Sequence, residues 1–333
     1  MTPGKESVQK PSIRHKVILD TDIGTDVDDI LALAFILASP ELDLLGVTTA
    51  YGDTTLRAKI VHRVLELSGR SDVPIHAGRP ETLSGIANPF WIGHEGRNAR
   101  VDKIPDGVIQ PEPAEEFIAR TIAAHPGEVN LIGIAPLGNL ARAILAFPQE
   151  MQVVRRILLM GGVFGFDDPE LQAPRVEHNC RCDPQAAQAV MTSGLPITLV
   201  PLDVTMQTPI SRHDADEIGH GGHPSAGLLH TELLTWLDWV HVAQKRDFTH
   251  MHDPLTVAAL IDPEIITRSL DVGIQVEVGG ELTAGQTMPN PYARERNVSV
   301  VMGIDATRFY NLFMQRLTAR AARDANSPLA SQT

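Results

Sequence analysis

Five aspartates fall within ten residues near the start of the chain: Asp20, Asp22, Asp26, Asp28 and Asp29, in the segment KVILDTDIGTDVDDILAL (16–33). Like charges this close repel unless a cation neutralises them or some of them hold protons. A hard divalent cation bound by oxygen ligands is the economical reading. Ordinary roles cover part of the cluster. Acidic residues in a first helical turn suit the helix dipole, and Asp/Gly runs make common turns. Those roles account for one or two of the five. An EF-hand loop is excluded, because the twelfth position counted from Asp20 is Leu31 where a glutamate is needed.

These acids need elements to position them. Val17–Leu19 is an apolar run that reads as a short buried strand, and the pattern from Ile30 onward is helical with no Gly or Pro until Pro40. The carboxylates are therefore expected at the C-terminal end of a strand and in the first turn of a helix, the edge where open α/β sheets bind ligands. Other polar groups follow expected strands in the same way: Gly52–Asp53, the turn after Ile134, Glu177–His178–Asn179 and His252–Asp253–Pro254. Glu177 and Asn179, read as one side of an extended segment, could grip vicinal hydroxyls. Asp253 before a proline is either a helix cap or a functional acid; Asp183 before Pro184 reads as a cap. His252 gains interest from its acidic neighbour, whereas His213, His220, His223 and His230 read as surface residues.

Strand-like and helix-like segments alternate along most of the chain. Strands are expected at 17–19, 42–50, 73–78, 129–135, 156–162, 197–205, 271–278 and 298–303. Helices are expected from 30, over 54–68 and 114–124, up to 147, over 184–192, two or more within 212–259, and from 306. Such alternation predicts one α/β domain with a doubly wound, mostly parallel central sheet and helices on both faces. Two long irregular stretches, 78–113 (with Trp91, His94, Glu95 and Arg97) and 163–182, are long enough to be functional. The domain is placed at 15–322, between a disordered arm (1–14) and a flexible tail (323–333).

The chain has 333 residues, 43% hydrophobic and 21% charged, with a net charge of −13. That balance fits a soluble globular enzyme and argues against a nucleic-acid or membrane-surface binder. No apolar run reaches membrane-spanning length. The polar first residues do not read as a signal peptide. Cys180 and Cys182, one residue apart, make neither a zinc motif nor a good disulfide. They suit spectator thiols in a reducing, cytoplasmic compartment.

Taken in order, Asp-x-Asp-x-Gly followed by Asp-Asp at a helix start, TTAYGD, LMGG, EHN before an Asp-Pro helix, and HDP late in the chain resemble the nucleoside hydrolases of the inosine–uridine-preferring type. The resemblance runs from about Lys16 to about Arg320. It implies a doubly wound α/β core, a tightly bound Ca²⁺, and hydrolysis of the N-glycosidic bond of ribonucleosides through a Ca²⁺-bound water and an aspartate base. Carried onto this chain, it implies that Asp22 contacts Ca²⁺ and acts as general base. Asp29, Asp253 and the Ile134 carbonyl would be further ligands. Asp28, Glu177 and Asn179 would bind the ribose, with Met160 lining the pocket. His252 matches a residue that protonates the leaving base, and His94 matches a loop histidine near the substrate. The partner is a small ribonucleoside, and a homodimer or homotetramer is expected. Departures are visible. Two extra residues, with Asp26 among them, separate Gly24 from Asp28–Asp29, and Asp53 replaces the family's usual Asn as a substrate-side residue. An Asn usual in the loop before EHN has no match in ELQAPRV.

This chemistry suits these residue types. An N-glycosidic bond breaks through an oxocarbenium-like state, so a base must position water, carboxylates must favour the cationic sugar, and the base must leave with a proton. Two other classes compete. VILDTDIGT also resembles the start of haloacid-dehalogenase-type phosphatases, with Asp20 as nucleophile, but that leaves HDP and EHN without a role and offers no partner lysine. A calcium-dependent sugar- or nucleoside-binding protein without catalysis is the third.

Overall fold

The computed structural model describes residues 14–85, 89–165 and 175–319. The arm expected over 1–14 and the tail over 323–333 fall, apart from Arg14, outside the described residues. Among those described, nine strands form one sheet in the order β10-β9-β11-β6-β5-β4-β1-β2-β3. The strand β1 (His15–Thr21) is central, pairing in parallel with β2 (Leu42–Thr49) and β4 (Val129–Gly133). Its last five residues are buried, as expected of a strand covered on both faces. The strands β5 (Arg156–Met160) and β6 (Ile197–Val200) continue the parallel array, and β3 (Ile75–Ala77) ends it beyond β2. Their C-terminal ends share one edge of the sheet, which carries Asp22, Ile134 and Gly161.

At the other side, β11 (Val298–Ile304) pairs in parallel with β6 but antiparallel with β9 (Ile266–Val276), and β10 (Thr287–Asn290) is antiparallel to β9. The sheet is thus mostly parallel with an antiparallel extension. A separate antiparallel pair joins β7 (Pro209–Ser211) to β8 (Phe248–His250). Neither short strand was expected, since three residues are too few to show an alternation.

The helix α1 (Asp28–Leu37) is buried on nearly all sides, which explains the uniformly apolar run ILALAFIL after Asp28 and Asp29. It packs against α11 (His252–Ile261), whose start is set by β8 just before it. The helix α2 (Thr54–Leu67) follows a tight turn in which Tyr51 and Gly52 both have left-handed φ angles, 63° and 73°. Further cover comes from α3 (Ala114–Ala124), α4 (Gly138–Ala146), α5 (Pro148–Met151), α7 (Pro184–Met191), α9 (Arg212–His220), α10 (Ala226–Gln244) and α12 (Ala306–Thr318). None of the described helices is long and apolar enough to cross a membrane.

Three local expectations need correction. The segment 197–205 is not one strand: β6 stops at Val200, Pro201 offers no N–H to continue the ladder, and α8 (Leu202–Thr205) is a helical turn. Glu177 and Asn179 do not share one side of an extended segment. Glu177 caps α6 (His178–Cys182) and Asn179 lies in its first turn. His223 is buried and not a surface residue, and its ring accepts from the Ser225 N–H at 3.1 Å.

Candidate active site

The sheet edge and the first turns of α1, α6 and α11 enclose a pocket of about 150 Å³. Asp22, Asp26, Asp28, Asp29 and Asp253 meet there with Glu177, Asn179, Met160, His252 and the Ile134 backbone. Carboxylate oxygens of Asp26, Asp28 and Asp29 all lie within 4.8 Å of one another. Residues 225 positions apart are joined here, since the Asp253 N–H donates to the Asp28 carboxylate at 3.4 Å. The Thr21 hydroxyl donates to Asp29 and also accepts from the Ile23 N–H. The Asp253 side chain is not the helix cap; Met251 holds that position and Asp253 lies within the first turn of α11. Asp183 does cap α7, accepting from Ala186 N–H at 3.1 Å.

Burial holds Asp28, Asp29 and Asp253 well above the usual carboxylate range, and the neighbouring carboxylates add to it. Asp22 is also raised by burial, with Arg57 and His178 opposing. Arg57 is the cation paired with the cluster. Its guanidinium is 3.8 Å from Asp22, donates to the carbonyls of Tyr51 (2.8 Å) and Ile23 (3.0 Å), and stacks 4.8 Å from the Trp91 ring centre. Arg57, even with His178 beside the pocket, does not balance five carboxylates. The excess of buried oxygen donors with raised pKa values fits a bound divalent cation.

Glu177 and Asn179 are held rigidly. Glu177 accepts from the N–H groups of Asn179 (2.6 Å), Gly162 (3.0 Å) and Cys180 (3.0 Å). Asn179 donates its amide N–H groups to the carbonyls of Ile134 and Met160, both at 3.2 Å, which leaves its side-chain oxygen for a ligand. The left-handed Gly162 (φ 74°) lets the chain turn under Thr287, whose hydroxyl a Cβ would meet at 3.0 Å.

His252 bonds Thr205 Oγ1 through Nδ1 at 2.7 Å. Burial, helped by His250, pushes its imidazole down to about 3, below the neutral range expected of it. Two other candidates lie elsewhere. Asp53 is exposed and caps α2, accepting from the Leu56 N–H at 2.9 Å, so it does not line the pocket. His94 lies on the far side of the 23–27 segment, in a small cavity with Ile60 and Glu232 that shares only Asp26 with the acidic pocket. Asp20 is fully buried; its Oδ1 accepts from Thr48 at 2.5 Å and from Asn139 at 2.7 Å. It does not reach the pocket, so the phosphatase reading loses its nucleophile.

Three residues in or beside the pocket were missed from sequence. Arg57 falls on the apolar stripe of α2 with Ile60, Val61 and Val64, a place where a cation signals a buried partner. Asn139 follows the β4 turn and holds Asp20. His178 lines the pocket between Glu177 and Asn179. Its contact with Cys182 raises it to about 10, with Asp22 and Asp26 adding to the shift. A larger cleft of about 600 Å³, bordered by Arg63, Arg97, Arg100 and Lys103, has no carboxylate cluster.

Residues 17–311 match the family model of the inosine-uridine preferring nucleoside hydrolases. The chain is 32% identical to a pyrimidine-specific ribonucleoside hydrolase of Citrobacter koseri, over 92% of this chain and 99% of that protein. Its fold is similar to that of a plant nucleoside hydrolase (TM-score 0.80, 28% identity, 92% of this chain and 99% of the other). It is also similar to that of a purine-preferring ribonucleoside hydrolase from Gardnerella vaginalis (TM-score 0.78, 26% identity, 91% and 98%).

Proposed function

The chain belongs to the inosine-uridine preferring nucleoside hydrolase family, and from that membership we propose that its acidic pocket hydrolyses the N-glycosidic bond of ribonucleosides to ribose and free base. The carrying observation is the convergence of Asp22, Asp28, Asp29 and Asp253 with the fixed Glu177–Asn179 pair in one pocket. Asp22, Asp29, Asp253 and the Ile134 carbonyl would hold a Ca²⁺ ion. When bound, it supplies positive charge that keeps the carboxylates ionised and orients oxygen ligands.

Asp22 takes the proton of the attacking water. Arg57 beside it favours its ionised form and fixes its direction, so alignment offsets modest basicity. Asp28, Glu177 and Asn179 bind the ribose hydroxyls. The surrounding carboxylates favour positive charge developing at C1′. Met160 packs beside the sugar. His252, kept neutral, serves as a hydrogen-bond partner on the base side. Relatives described as pyrimidine-specific and purine-preferring are both similar to this chain, so the assignment is to ribonucleosides as a class.

A panel of purine and pyrimidine ribonucleosides, assayed for free base and reducing sugar, tests this reading. Equal amounts of base and ribose are expected from at least one of them. Bound ligand without products would establish a binding protein, and phosphate from phosphorylated substrates would establish a phosphatase.

A further inference from the structure

Asp28, Asp29, Asp253, Glu177 and Asn179, all buried, form the closed end of the pocket. A ribosyl group held by them, as proposed above, would direct its C1′ substituent toward the open side. There the lining residues are Asp26 and His178, both exposed, with Leu202 and His252 half-buried. A departing base carries the electron pair of the broken bond and needs a proton. Leu202 carries no proton to give, and Asp26 belongs to the carboxylate cluster with Asp28 and Asp29. His252 is half-buried with its Nδ1 bonded to Thr205, whereas His178 is exposed on the open side. Among the described residues His178 is hydrogen-bonded to no buried side chain. Its contact is with the Cys182 sulfur, four residues along the same short helix, 3.5 Å from Nε2 and 3.9 Å from Nδ1. A sulfur nearly equidistant from both nitrogens engages one of them at a time, which leaves the other N–H for a ligand.

On the ribonucleoside-hydrolase reading above, on which this rests, we propose that His178 meets the nucleobase and gives it a proton as the C1′–N bond breaks, with Cys182 as the positioning residue for its ring. The electron pair of the C1′–N bond goes to the base. The His178 N–H proton goes to a base nitrogen or exocyclic oxygen, leaving neutral imidazole. The water oxygen bonds to C1′ and its proton passes to Asp22. Solvent then returns one proton to His178 and removes one from Asp22, so nucleoside and water become ribose and free base.

Leaving-group dependence tests this in the full-length, metal-loaded enzyme. His178→Phe keeps a ring and removes both nitrogens. It is expected to lower kcat/KM for uridine or inosine by about 10²–10⁴-fold, the range of general acid catalysis. For 4-nitrophenyl riboside, whose phenolate leaves without a proton, the loss should stay under about tenfold. Cys182→Ala is expected to lower kcat for nucleosides by about tenfold or more with KM little changed, and Cys182→Ser to restore most of it. Equal losses on both substrates for His178→Phe would overturn the proposal, as would no loss on either. An unaltered kcat in Cys182→Ala would remove the positioning role. A wild-type enzyme that cleaves neither substrate would refute the hydrolase reading instead, so the two failures are separable.

Discussion

The Asp253 N–H donates to the Asp28 carboxylate at 3.4 Å, fastening the first turn of α11 to the first turn of α1. Both helices thereby aim acidic residues at one point beyond the end of β1. Burial makes this costly without a cation, because an isolated buried carboxylate is driven to its neutral form.

Metal binding should therefore release protons. Burial and neighbouring carboxylates hold Asp28, Asp29 and Asp253 well above the usual carboxylate range. Calorimetric titration of Ca²⁺ into chelator-treated protein, in buffers of different ionisation enthalpy, should show protons leaving the protein. Chelation should abolish ribose release and lower Tm, and Ca²⁺ should restore both. Full activity after verified metal removal would contradict the assignment.

The sugar site predicts selectivity. A site built to hydrogen-bond a hydroxyl rejects analogues that lack it by large factors. The kcat/KM for a 2′-deoxynucleoside should fall at least about 10²-fold below that for its ribonucleoside. Equal values would remove Asp28, Glu177 and Asn179 from the ribose.

Arg57 is predicted to support both fold and site. Removing one partner of a buried ion pair costs about 3–5 kcal/mol. Arg57→Met also strips a donor from the Tyr51 and Ile23 carbonyls. Urea unfolding should show a loss of that order, and Arg57→Lys should not restore it, lacking the planar fork. A loss under about 1 kcal/mol would place the cation's weight elsewhere.

Glu232 predicts a pH dependence of stability. Burial raises its carboxyl to about 7, with Glu95 adding and Asn98 opposing. A carboxyl raised on folding binds its proton more tightly in the native state. Its contribution is present below the unfolded value near 4.5 and is lost as pH rises through about 7. The loss is on the order of 3 kcal/mol. Glu232→Gln, permanently neutral, should raise Tm at pH 8 and leave it nearly unchanged at pH 4. Parallel Tm profiles for the two proteins would contradict this.

Much of the site was legible because its residue types are improbable where they stand. Five acids between an apolar strand and an apolar helix require an explanation, and HDP at a helix start supplies the distant partner. The bounds of α3 were legible because Pro113 precedes an amphipathic run that ends before a turn. What failed to read was partner choice in three dimensions. Asp53 is the same residue type as Asp22, yet it caps a helix at the surface. His94 belongs to a long loop whose path the sequence does not specify, and it docks behind the acidic segment. The run ITLVPLDVT has strand-like composition throughout, and only Pro201 hints at the break. His178 was passed over because its value depends on facing the open side of a pocket made by three other elements.

On the proposed reading this pocket cleaves ribonucleosides with water, using Asp22 as base. The most direct measurement is the release of ribose and free base from a cleaved ribonucleoside by the metal-loaded wild type and by Asp22→Asn, with metal content and fold verified in both. The wild type should release the two products in equal amounts without added phosphate. The variant should still bind the nucleoside, with turnover lower by about 10²-fold or more. Comparable turnover in Asp22→Asn, or release of base only when phosphate is supplied, would contradict the account.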